Sequence, residues 1–265
     1  MEESVEGARS FLTSGDAYDT FMGRYSRPLA AAFADAAGVS PGHRTLDVGC
    51  GPGALTGVLV SRVGAERVSA FDPSPPFVAE CAARHPGVEV LLGRAEQIPF
   101  GEATFDSALA QLVLHFVTDP AQAAGEMRRV VRPGGVVAAC VWDFDQGMEM
   151  LRHFWDSATA IQPDAPDEAR TLRFGREGEI AELFEAAGFD GVGETTLQVS
   201  STYASFDELW SGFLAGIGPA GSFCVALPDD QRENLRSDLF GRLGSPSGPF
   251  ALAATARCAS GTVPS

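Results

Sequence analysis

The 265-residue chain contains no lysine: its 19 basic side chains are all arginine, set against 35 aspartates and glutamates for a net charge of −16. Without a lysine amine, Schiff-base chemistry is excluded. The excess of negative charge has the wrong sign for binding nucleic acid or an anionic membrane, so neither is an expected partner. Tyrosines number only three, and none of Tyr18, Tyr25 and Tyr203 heads the Tyr-x-x-x-Lys pair of many oxidoreductases. The five cysteines (Cys50, Cys81, Cys140, Cys224, Cys258) are scattered, odd in number and without a Cys-x-x-Cys pair, which argues against a disulfide framework and a zinc site. No metal-ligand constellation is visible, so no metal is expected. No apolar run approaches the about 18 residues of a membrane span. The opening MEESVEGARS is acidic and lacks the apolar segment of a secretory signal, so a cytoplasmic protein is expected. The sequence sets no oligomeric state.

What is present is an alternation of short apolar runs with helical patterns, the signature of βα units and a parallel sheet covered on both faces. Strands are expected at Thr45 to Val48, Arg67 to Asp72, Val88 to Gly93, Phe105 to Gln111 and over GGVVAACVW, with Pro133, Gly134 and Gly135 as the turn before the last. Asp119 and Pro120 read as the N-cap and first residue of a helix. Further on, VGETTLQVS alternates like a sixth strand and Phe250 to Cys258 reads as a seventh. The whole of 1–265 is expected to be one α/β domain. Within it, 10–40 would be an N-terminal helical lid in which Pro28 marks a break or a fresh start, and 42–142 a cofactor-binding core. Residues 203–248 would insert two helices before the final strand, 250–258.

The stretch TLDVGCGPGAL, Thr45 to Leu55, places three glycines between the first strand and a helix. Such a turn lets a ligand approach the backbone and presents free amides at a helix N-terminus. A nucleotide P-loop needs Gly-Lys-Ser/Thr, but Ala54 and Leu55 follow Gly53, which disfavours ATP and GTP. Gly49, Gly51 and Ala54 satisfy the dinucleotide pattern Gly-x-Gly-x-x-Gly/Ala formally. Asp72 ends strand 2, where a carboxylate accepts both ribose hydroxyls of NAD or of an adenosine derivative, and does not discriminate between them.

The order and spacing of five stretches discriminate. LDVGCGPG (Leu46 to Gly53), FDPS (Phe71 to Ser74), GRAEQIPFGEATFD (Gly93 to Asp106), LVLHF (Leu112 to Phe116) and MRRVVRPGGVV (Met127 to Val137) together resemble class I S-adenosylmethionine-dependent methyltransferases of the ubiquinone/menaquinone-methylase-like group. The resemblance covers roughly Tyr18 to Val141. It implies a doubly wound, seven-stranded Rossmann-like sheet whose last strand is antiparallel, with S-adenosyl-L-methionine as cofactor. By the same resemblance Asp47, Gly49, Cys50, Gly51 and Gly53 line the methionine and ribose side, and Asp72 holds the ribose hydroxyls. Ala95 and Glu96 frame the adenine, and Gln111 lies near the methionine amino group. One position departs: relatives often carry an acid just before the Ala-Glu pair, where this chain has Arg94.

The N-terminal YDTFMGRYSRP supplies Tyr18, Arg24 or Tyr25 to close over the cofactor, with Arg24 as a partner for its carboxylate. Methyl transfer depends chiefly on alignment, but an oxygen or nitrogen acceptor also needs its proton removed, for which histidine suits neutral pH. His115, just after strand 4, is the candidate base, followed by His153. Trp142, Asp143, Phe144, His153, Phe154, Trp155, Trp210 and Phe213 are candidates for an apolar substrate pocket beside the insertion. The expected activity is methyl transfer to a small-molecule metabolite or natural-product intermediate. The alternatives are an NAD-dependent oxidoreductase and a protein that uses a bound sulfonium without donating its methyl.

Overall fold

The computed structural model describes the chain from Asp19 to Ser265, so Tyr18 and the first part of the expected lid lie outside the described residues. Seven strands form one sheet: β1 (Thr45–Val48), β2 (Val68–Asp72), β3 (Glu89–Leu92), β4 (Phe105–Gln111), β5 (Val131–Trp142), β6 (Asp190–Tyr203) and β7 (Phe250–Thr262). Their order is β3-β2-β1-β4-β5-β7-β6, with β7 antiparallel to both of its neighbours and the β1 to β5 pairings parallel. Every residue of β1 and β2 is buried, as a central strand covered on both faces requires. Strand order reverses between β1 and β4, and open α/β sheets bind ligands at the carboxyl edge of such a switch point.

A short π-turn (Asp19–Gly23) leads into helix α1 (Arg24–Ala36). Helices α2 (Ala54–Val63), α3 (Pro75–Arg84) and α4 (Pro120–Val130) cross between the parallel strands. At α4 the Asp119 side chain accepts the Gln122 amide at 3.0 Å and Pro120 occupies the first turn. After β5 come α5 (Glu149–Ile161), the single turn α6 (Glu168–Thr171) and α7 (Glu179–Ala186). Between β6 and β7 lie α8 (Phe206–Leu214), α9 (Gly218–Ala226) and α10 (Asp229–Arg242), and α10 packs back on α5.

Four details differ from the sequence reading. Helix α1 runs through Pro28 instead of breaking there, because the proline sits near its beginning, where only one intrahelical bond is lost. The insertion holds three helices, not two: α9 is built from GPAGSFCVA, which is rich in poor helix formers and lacks a clear period, and burial of Ala220, Gly221 and Cys224 stabilises it. Strand β5 starts at Val131, ahead of the expected turn, with a register shift against β4 between Phe105 and Ser107. Strands β6 and β7 pair for their whole length, from Asp190↔Thr262 to Tyr203↔Phe250, and so extend beyond the expected ends. Among the described residues no single helix is long and apolar enough to cross a membrane.

Candidate functional site

The turn after β1 is shaped by what glycine alone permits. Gly53 begins α2 at φ 97°, and a Cβ there would stand 2.5 Å from His85 Nε2, so it closes the loop onto α3. His85 Nε2 also meets the Gly53 carbonyl at 3.0 Å. Gly49, at φ 69°, would drive a Cβ to 2.7 Å from Val113 Cγ2, which brings the turn beneath the end of β4. Between them the Gly51 amide donates to Asp72 Oδ2 at 2.9 Å, tying the glycine loop to the end of β2. The Ser74 amide donates to the other oxygen, Asp72 Oδ1, at 2.8 Å. Burial pushes the Asp72 carboxyl above its usual range, and these two amides oppose that shift.

These groups border a cavity of about 680 Å³ at the carboxyl edge of β1, β2 and β4, within the usual size of small-molecule sites. Gly49, Cys50, Gly51 and Pro52 line it together with Asp47 and Asp72. Leu92, Arg94, Ala95 and Ile98 form one wall and Gln111, Leu112 and Val113 another. Asp47 accepts the Thr56 hydroxyl at 2.6 Å, and burial pushes its carboxyl up to about 7. Gln111 donates from Nε2 to the Ser26 carbonyl at 3.0 Å while its Oε1 is buried without a partner among the described residues. A buried carboxylate of raised pKa and an orphaned amide oxygen, both from residues that line one cavity, would each be satisfied by a cationic amine.

The structure thus brings together Asp47, Gly49, Cys50, Gly51, Asp72, Ala95, Glu96 and Gln111 on one cavity. Gly53 lies against His85 and not on that lining. Glu96 lines the cavity, but its Oε1 accepts the Thr118 amide at 3.0 Å, which commits that oxygen to the approach to α4. Arg94 faces the same cavity from an exposed position.

Arg24 requires correction. Its Nη2 donates to the Thr202 carbonyl at 3.0 Å and to Glu208 Oε1 at 2.7 Å, and its guanidinium lies 3.8 Å over the Tyr203 ring. It therefore fastens α1 to β6 and α8, away from the glycine loop. Tyr25 does likewise, its hydroxyl 3.2 Å from that of Tyr203, which donates in turn to Met150 Sδ at 3.1 Å. The N-terminal contribution to the cavity comes instead from Ser26, in the first turn of α1, which the sequence reading passed over. No periodicity marks it, since its contact is made through a backbone carbonyl.

A second, smaller cavity of about 50 Å³ shares Leu112 and Phe116 with the first. His115 and Trp142 line it with Phe21, Met22 and Phe144. Burial pushes the His115 imidazole down to about 3, so it is neutral at physiological pH and a weak base. The other expected pocket residues lie elsewhere. Trp155 donates to Glu168 at 2.8 Å, Trp210 packs on Phe206 and Phe213, and Phe154 stacks on Phe213 at 4.3 Å. These aromatics form the core beneath the helical insertion, because side chains at helical spacing on its inner face pack together. His153 is half-buried and lines neither cavity.

Residues 46–139 match the family described as Methyltransferase domain. The chain is 37% identical over 143 residues to an uncharacterised 37.1 kDa protein in transposon TN4556 of Streptomyces fradiae, a match that covers 52% of this chain and 38% of that protein. It is 36% identical over 97 residues to malonyl-[acyl-carrier protein] O-methyltransferase of Serratia marcescens, covering 37% of each chain. These matches span well under half the length of either relative. Phosphoethanolamine N-methyltransferase 2 of Haemonchus contortus, solved with S-adenosyl-L-methionine, superposes with a TM-score of 0.61 at 15% identity, over 100% of this chain and 61% of that one. At that identity the likeness is one of fold. Fold, motif order and the family match over residues 46–139 together support a class I S-adenosylmethionine-dependent methyltransferase, and S-adenosylmethionine is the cofactor of that family. The matched family is one of methyl transfer, which leaves the oxidoreductase alternative without support.

Proposed function

We propose that the protein methylates a small-molecule acceptor, a metabolite or natural-product intermediate, with S-adenosylmethionine as donor. The observation that carries this is the bridge from the Gly51 amide to Asp72 at 2.9 Å, set at the rim of a cavity that also holds Asp47 and the orphaned Gln111 oxygen. Asp72 has lone pairs left for ribose hydroxyls, and Asp47 with Gln111 suits the amino group of the methionine portion. Bound there, the sulfonium supplies an electrophilic methyl group. The chain itself contributes alignment and exclusion of water, through Leu112, Val113, Phe116 and Val117 along the wall that faces the second cavity.

A small acceptor fits the charge balance, since −16 repels the phosphate backbone of nucleic acids. The five cysteines are all free and buried, in keeping with a reducing, cytoplasmic setting. Incubation with methyl-tritiated S-adenosylmethionine and a size-fractionated cell extract tests the reading. Label is expected in the low-mass organic fraction; label confined to protein or nucleic acid would overturn it.

A further inference from the structure

Three buried polar groups meet at the smaller cavity, and two of them have nothing to bind. Trp142 is 2% exposed, yet its Nε1, which can only donate, has no partner among the described residues. His115 is 9% exposed, and its Nδ1 also has none. The third is Glu168, 6% exposed, which opens α6 and reaches the cavity while one oxygen, Oε2, accepts the Trp155 indole at 2.8 Å. Buried polar groups are nearly always paired, so two orphans on one small cavity point to a missing ligand. Around them the lining is apolar: Phe21, Leu151, Ile217 and Ala220 among others. Leu112, shared by both cavities, holds φ at 61°, a conformation costly for a non-glycine residue and typical of backbone strained at a functional position.

We propose that this second cavity is the acceptor site, that it takes the end of a neutral, largely apolar molecule bearing a hydroxyl group, and that Trp142, His115 and Glu168 orient that hydroxyl. This rests on the methyl-transfer reading above. The indole Nε1 donates to the hydroxyl oxygen, and the hydroxyl hydrogen is accepted by His115 or by Glu168. Neutral imidazole suits this role, because His115 stays uncharged in its apolar surroundings. Glu168, pushed up to about 7 by burial, pairs with a hydroxyl in either protonation state. Anionic acceptors are disfavoured by the same carboxyl and by the lack of any arginine among the described residues of the lining. Glu168 was invisible in the sequence: it follows Asp167 in PDEART, outside every motif, and only the fold of α6 against α5 presents it here.

The test uses simple probes on protein loaded with S-adenosylhomocysteine and labelled with ¹⁵N in its three tryptophan indoles, with phenol, benzene and benzoate titrated in turn. Phenol is expected to bind at least about tenfold more tightly than benzene, to exceed benzoate, and to move the Trp142 indole signal downfield. The Trp142→Phe variant assigns that signal. Both Trp142→Phe and Glu168→Leu, which removes the hydrogen-bonding atoms at similar volume, are expected to cut phenol affinity severalfold, leaving benzene and S-adenosylhomocysteine binding unchanged. Equal affinity for phenol and benzene, an unmoved Trp142 signal, or indifference of phenol binding to both variants would overturn the assignment. S-adenosylhomocysteine bound without phenol preference defeats the acceptor site alone, whereas no S-adenosylhomocysteine binding defeats the methyl-transfer reading and this one with it.

Discussion

Asp47 shows how one side chain links the stability of the fold to the site. It lies buried at the end of β1, with its carboxyl pushed up from 3.8 to about 7 by loss of solvent, against the favourable Thr56 hydrogen bond. Because the folded value exceeds the unfolded one, the protonated form is the one that folding prefers. The associated stability is fully present below the ordinary carboxylate pKa and is lost as pH rises through about 7. Glu168, also raised to about 7, acts in the same direction over the same window. Thermal melts from pH 5 to pH 8 are therefore expected to show falling stability, and Asp47→Asn, which still accepts from Thr56, to flatten the fall. A variant melting with the pH dependence of the parent would contradict the buried, raised carboxyl. At this scale the sequence was most legible where a residue type was demanded by backbone geometry, as at Gly49, and least where the partner was remote in the chain, as for Glu168 and Trp155.

The N-terminal helix makes the same point for a whole element. Its presence is read from an amphipathic pattern, but which face meets which neighbour depends on β6 and α8, about 180 residues later in the chain, since Arg24 and Glu208 are separated by 184 positions. The arginine that charge chemistry would aim at a carboxylate ligand is instead stacked on Tyr203 and paired with Glu208, with side-chain exposures of 20% and 41%. Exposed pairs of this kind are screened, so the cation–π contact and the carbonyl bond carry much of the value. Arg24→Ala is expected to lower stability by about 1 kcal/mol and to leave S-adenosylhomocysteine affinity within about twofold. Denaturant melts beside a cofactor titration check both. A large loss of affinity with unchanged stability would return Arg24 to the cofactor site. The helix α9 went unread for a related reason: its glycines and proline carry no helical signal, and its stability is tertiary.

Across the molecule, the two cavities are built differently. The larger one lies in consecutive βα units whose loops meet at one sheet edge, so its residues are near one another in sequence order and their spacing is informative. The smaller one gathers Phe21, Trp142, Glu168 and Ile217 from four separate parts of the chain, which no spacing foretells. The central claim is accordingly the one about the donor site. Calorimetric titration of the protein and of Asp72→Ala with S-adenosylhomocysteine, and of the protein with NAD, tests it most directly. S-adenosylhomocysteine is expected to bind, NAD is not, and Asp72→Ala is expected to weaken binding at least tenfold, about 1.4 kcal/mol. Binding of NAD in its place, or an Asp72→Ala variant with undiminished affinity, would contradict it.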